Sequence, residues 1–89
     1  MNKQQEENFY NDKIYHGLTI YYARIIPSVD IYEVKDLYVR TVGEDYFVAT
    51  DKKDKRAFLF MYSELNNGNI FLNRNDAVKK VKEMEKYKK

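Results

Sequence analysis

The 89-residue chain is predicted to be mainly β: a small SH3-like barrel of five short strands covered by a C-terminal amphipathic helix. Three observations predict it. Residues 18–72 fall into five short runs rich in β-branched and aromatic residues, separated by turn-forming residues. The second run changes hydrophobic parity partway along, which signals a β-bulge or a sharp bend, the device a small barrel uses to wrap its sheet. The last seventeen residues then switch to a helical period.

The first run, "LTIYYARIIP", ends at Pro27, which cannot donate to a ladder. Ile20, Tyr22, Arg24 and Ile26 alternate with Tyr21, Ala23 and Ile25. Both faces are therefore largely apolar, and at least one must be covered by another element. A short turn at residues 27–30 leads into "IYEVKDLYVRTV" (31–42). There Tyr32 and Val34 share one face, whereas Leu37, Val39 and Thr41 share the opposite one. "GED" (43–45) turns the chain into "YFVAT" (46–50), and "DKKDKR" (51–56) turns it again into "AFLFMY" (57–62). "SELNNG" (63–68) favours a 3₁₀ or Asx-type turn before the short run "NIFL" (69–72).

A helix is predicted over 74–88, with Ala77, Val78, Val81 and Met84 forming one apolar stripe. Asn73 or Asn75 is the expected N-cap, and Asp76 sits in the first turn, where the helix dipole favours an acid. Asp76 with Lys80 and Glu85 with Lys89 are acid-before-base pairs at i,i+4. The barrel and helix make one domain, 17–89, with residues 1–16 a flexible lead-in from which Phe9 and Tyr10 could dock. A plain antiparallel α+β sandwich is the alternative architecture.

Composition sets outer limits. With 44% hydrophobic and 16% aromatic residues the chain is globular despite 34% charged residues. The absence of cysteine excludes disulfides, thiolate metal sites and thiol nucleophiles. No apolar run is long enough to cross a bilayer, and "MNKQQEENFYNDK" is too polar for a signal peptide. A cytoplasmic protein without a membrane partner is the expectation. The net charge of +2 is unevenly spread, −3 over residues 1–50 and +5 over residues 51–89. Such a dipolar surface can steer a charged partner or orient two copies of the chain.

The stretches "YYARIIP", "DKKDKRAFLF" and "NRNDAVKKVKEMEK" resemble a group of small uncharacterised proteins encoded by low-GC Gram-positive bacteria and their phages or mobile elements. The resemblance spans roughly residues 18–86 and is most specific at the "DKxDKxAxLF" pattern, where Arg56 stands at a position often occupied by His. It brings no activity and no functional residue. Its implication is one of setting: phage-type proteins of this size are often inhibitors of host machinery, including defence and CRISPR systems.

Little in the sequence supports catalysis. His16 is the only histidine, so neither a His-based metal site nor a Ser–His base pairing is available. Ser28 and Ser63 lie in turns outside any nucleophile elbow, and Gly17, Gly43 and Gly68 are too far apart for a phosphate loop. "PSVDIYEVK" superficially carries a nuclease pattern in Asp30, Glu33 and Lys35. However, Asp30 lies three residues before Glu33, on the wrong strand face to share a Mg²⁺ with it. No enzyme activity, metal or cofactor is expected.

Binding is expected instead, because exposed tyrosines beside charges anchor interfaces. The first reading is a non-enzymatic protein-binding module, a phage-type inhibitor of a host defence or nucleic-acid-processing enzyme. It would use an acidic, tyrosine-rich surface of Asp30, Tyr32, Glu33, Asp36, Tyr38, Glu44 and Asp45. The second is a small RNA- or DNA-binding accessory protein. It would use Lys52, Lys53, Lys55 and Arg56 with Lys79 and Lys82 of the helix, and Phe58, Phe60 and Tyr62 as stacking platforms. Against it, Asp51 and Asp54 cut the loop's charge from +4 to +2 and mark a solvated turn. A third reading is a homodimer formed through an edge strand.

Overall fold

In the computed structural model, which describes residues 14–65 and 68–87, each of the five apolar runs is a strand. They are β1 (Thr19–Ile26), β2 (Ile31–Val42), β3 (Tyr46–Asp51), β4 (Ala57–Met61) and β5 (Ile70–Phe71). Strands β1 to β4 form an antiparallel meander, and β5 returns to the free side of β1, giving the order β4-β3-β2-β1-β5. The sheet curls into an SH3-like half-barrel. Short 3₁₀ turns at Pro27–Val29 and Tyr62–Glu64 occupy the two positions where the sequence places turn residues.

The curled sheet separates two apolar clusters. Inside the barrel, Ile20, Leu37, Val39, Phe47, Ala49, Phe60, Tyr62, Leu65 and Ile70 are buried together. Tyr22 meets Phe58 and Phe60 edge-on at 5.4 and 5.2 Å. On the outer face of β1, β2 and β5, helix α1 (Arg74–Glu85) buries Ala77 and Val81 against Ala23 and Phe71, with Tyr21, Ile25, Tyr32 and Val34 packed around them. The register makes both alternations consistent: Ile20 pairs with Leu37 on the barrel side, Ala23 with Val34 on the helix side. Asn73 is the N-cap of α1, accepting from Asn75 N at 2.8 Å. Val78 and Met84 are half-buried along the same stripe.

Three local expectations are corrected. The change of parity between Val34 and Leu37 is not a bulge, since the β1–β2 register runs unbroken from Ile31 to Tyr38. It marks the point where the covered face changes from the helix side to the barrel side. The irregularity lies further on, between Val39 and Thr41, where Arg40 is the extra residue and Thr41 turns outward and exposed. Among the described residues, no ion pair joins Asp76 to Lys80. Lys89 lies outside the described residues, as do Phe9 and Tyr10.

The packed chain also starts before Gly17. Residues 15–18 form a turn, with Leu18 N donating to Tyr15 O at 3.1 Å and Gly17 at φ 93°, a left-handed conformation that glycine adopts without a Cβ penalty. This reversal leaves Tyr15 and His16 exposed and carries Ile14 into the barrel core, where it is 2% exposed. Ile14→Ala should therefore lower stability in urea unfolding by about 2–5 kcal/mol, as for other buried Ile truncations, whereas Tyr15→Ala should change it by less than about 0.5 kcal/mol.

Candidate functional site

The acidic candidates are dispersed. Asp30 closes the β1–β2 tip in a left-handed conformation (φ 59°), while Glu44 and Asp45 form the β2–β3 turn at the far end of the twelve-residue strand β2. At about 3.3 Å per residue, roughly 35 Å of strand separates these two ends. Glu33 lies on the barrel-side face, within 3.1 Å of Arg24. Asp36 is exposed and 3.7 Å from Arg74 at the start of α1. Tyr32 packs into the cluster under the helix. Tyr38 accepts from Arg40 at 3.2 Å, with the Arg40 and Lys55 cations 5.7 and 5.8 Å from its ring centre. The seven residues do not form one surface.

Asp30, Glu33 and Lys35 do not converge on a metal site. Glu33 and Lys35 share a face, 4.0 Å apart, but Asp30 sits at the tip. Among the described residues, no three His, Cys, Asp or Glu side chains are grouped to hold a metal ion.

The basic loop is organised from within. Asp51 is 4% exposed, and its Oδ1 accepts from Lys53 N at 2.6 Å and Asp54 N at 3.3 Å. Its Oδ2 accepts from Lys35 Nζ at 2.8 Å. Asp54 lies 3.7 Å from the same ammonium and accepts from Arg56 N at 2.9 Å. The two acids that interrupt the basic run are therefore the groups that hold it in shape. Lys52 donates to Thr19 Oγ1 at 2.9 Å, and the Arg56 guanidinium lies 6.0 Å from the Phe58 ring centre. Phe58 and Phe60, the expected stacking platforms, are turned toward the barrel core, and Tyr62 is buried with its hydroxyl donating to Gly43 O at 2.8 Å. Burial, reinforced by Asp45, holds the Tyr62 phenol above its ordinary pKa. Lys79 and Lys82 are exposed on α1, about 7 and 12 Å beyond Arg74 along its axis.

A groove of about 220 Å³ runs between Glu33, Lys35, Asp36, Asp51, Lys52, Lys53 and Arg74. Its cations and carboxylates are largely paired with one another, so its lining is of mixed charge with no single-sign field for a phosphate or an acidic chain.

The sequence reading missed a more distinctive surface. On the outer face of β3 and β4 the register stacks Tyr46 beside Met61 and Val48 beside Leu59. Leu59 is 62% exposed, Met61 44%, and Tyr46 at the end of the same hairpin is also exposed. Among the described residues strand β4 is, moreover, a free edge of the sheet. The signal was present in "AFLFMY", where Ala57, Leu59 and Met61 alternate with Phe58, Phe60 and Tyr62. Both faces are apolar, as in β1, but only one is covered.

No protein-family model, curated protein or solved structure matches the chain. Among the described residues, no helix is long and apolar enough to cross a membrane.

The Lys35–Asp51 pair gives a pH test. The Lys35 hydrogen bond, helped by the Lys53 and Asp54 amides, outweighs burial and lowers the Asp51 pKa, and the reciprocal bond from Asp51 raises that of Lys35. A lowered carboxyl pKa contributes stability that is present above its unfolded value of about 3.9 and lost as pH falls through the folded value. A raised ammonium pKa contributes stability present below about 10.4 and lost as pH rises through the folded value. Asp51→Ala should cost about 1.5–3 kcal/mol near neutral pH by chemical unfolding, and the variant should lack part of the wild-type stability loss below about pH 4.

Proposed function

We propose that the protein is a non-catalytic protein-binding module that presents the outer β3–β4 face to its partner. The carrying observation is the concentration of exposed large apolar side chains there: Tyr46, Leu59 and Met61. Monomeric soluble proteins rarely leave such a patch open unless it meets another surface. The matching outer face of β1–β2 is covered by α1, so the exposure is specific to one half of the sheet. Glu44 and Asp45 border the patch and supply a polar rim.

In the setting that the resemblance implies, such a module blocks a host defence or nucleic-acid-processing enzyme in the bacterial cytoplasm. Catalysis is not part of the proposal, since the titratable network around Lys35 and Asp51 is engaged in holding a turn. Direct nucleic-acid binding is the weaker reading, because Asp51 and Asp54 dilute the loop's charge, Lys52 is held by Thr19, and the rings behind the loop face inward.

Two variants separate these readings. Capture of a host protein should persist after nuclease treatment and survive Lys52→Glu/Lys53→Glu/Lys55→Glu, but disappear in Leu59→Asp. A labelled RNA or DNA oligonucleotide should bind no more tightly than about 10⁻⁴ M at physiological salt, the weak end of non-specific association. Nuclease-sensitive capture that the triple Glu variant abolishes would replace this proposal with the nucleic-acid one.

A further inference from the structure

Beyond the side chains of its outer face, β4 presents an open backbone edge, and we infer that this edge pairs antiparallel with β4 of a second copy about a two-fold axis at Leu59. The inference deepens the proposed function and rests on its reading of β3–β4 as a contact surface.

The hydrogen-bond pattern sets the register. Asp51 N donates to Arg56 O at 2.8 Å and Tyr62 N to Asp45 O at 3.3 Å, and in an antiparallel ladder such bonded pairs recur at every second residue. Phe58, Phe60 and Tyr62 thus turn their backbone groups toward β3. Ala57, Leu59 and Met61 turn theirs toward the free edge. One of these edge donors is already occupied, since Met61 N donates to Glu64 Oε2 at 2.8 Å. The edge that remains open is centred on Leu59. Pairing there sets Leu59 against Leu59 of the other copy and each Ala57 against the opposite Met61. It joins the apolar outer faces of both copies side by side.

Charge selects a second copy as the occupant. At the start of β4 the 52–56 loop presents Lys53, Lys55 and Arg56, because Asp51 and Asp54 are taken up by Lys35 and by loop amides. At the other end of β4 stand Glu44, Asp45 and Glu64. Antiparallel pairing brings the basic end of each copy to the acidic end of the other, twice by symmetry. Neither a uniformly acidic nor a uniformly basic partner strand would match both ends.

The chain contains no cysteine, so Leu59→Cys places a single thiol at the proposed axis. The 89-residue chain should sediment as a concentration-dependent dimer of twice 10.8 kDa, and Leu59→Cys should cross-link to itself with a short bis-maleimide. Ala57→Pro, which removes an outward N–H at the first residue of β4 while leaving Leu59 and Met61 in place, should weaken dimerisation. Leu59→Asp should weaken it at least about a hundredfold through like charges juxtaposed at the axis. Glu64→Ala, which frees the Met61 amide, should tighten it. Lys55→Glu/Arg56→Glu and Glu44→Lys/Asp45→Lys should each fail alone and associate when mixed.

A protein that stays monomeric while the Leu59→Cys thiol reacts freely and Leu59→Asp still abolishes partner capture would overturn the dimer and leave the proposed function standing. A monomer whose Leu59→Cys thiol is protected would mean that the chain's own residues 1–13 cover the strip, and would overturn both.

Discussion

The fold depends on one constraint: the β1–β2 ribbon is apolar on both faces and has to be covered twice. Ile20, Tyr22, Leu37 and Val39 require a barrel interior, while Tyr21, Ala23, Ile25, Tyr32 and Val34 require a second layer. Curling the sheet satisfies the first set, and α1 satisfies the second. Strand β5, only two residues long, serves both: Ile70 faces the barrel and Phe71 the helix. Among the described residues one helix lies on the sheet, against β1, β2 and β5, and it leaves the outer face of β3–β4 uncovered around Leu59 and Met61. The surface proposed for binding is the part of the sheet that α1 does not cover.

The succession of strands and helix along the chain was legible in the sequence, the helix ending at Glu85 and not at 88, because hydrophobic alternation reports directly on which side chains are buried. It does not report what buries them. The shift from Tyr32 and Val34 to Leu37 and Val39 reads as a bulge or a sharp bend, whereas two different coverings of one strand of unbroken register produce the same pattern. The true irregularity, at Arg40, is hidden because an exposed arginine looks the same on either face. Ile14 was equally hidden, as a lone apolar residue in a polar lead-in has no periodicity to belong to.

The charged candidates show the limit more sharply. Asp51 and Lys35 are sixteen residues apart, and only the β2–β3 register makes them neighbours. In sequence, Asp51 reads as a dilution of a basic loop; in the fold it is the acceptor that three donors share. The acidic set from Asp30 to Asp45 failed in the opposite way. Those residues are close in number but lie along an extended strand, the conformation that separates neighbours most.

The late position of α1 in the chain has a consequence for biogenesis. As the polypeptide emerges from the ribosome, the meander of β1 to β4 is complete before the helix that shields its convex side has been made. During that interval Tyr21, Ala23, Ile25, Tyr32 and Val34 have no cover, and β1 still offers the edge reserved for β5. The nascent chain is therefore stickiest between completion of β4 and emergence of α1, and the turns of that helix are what end the exposure.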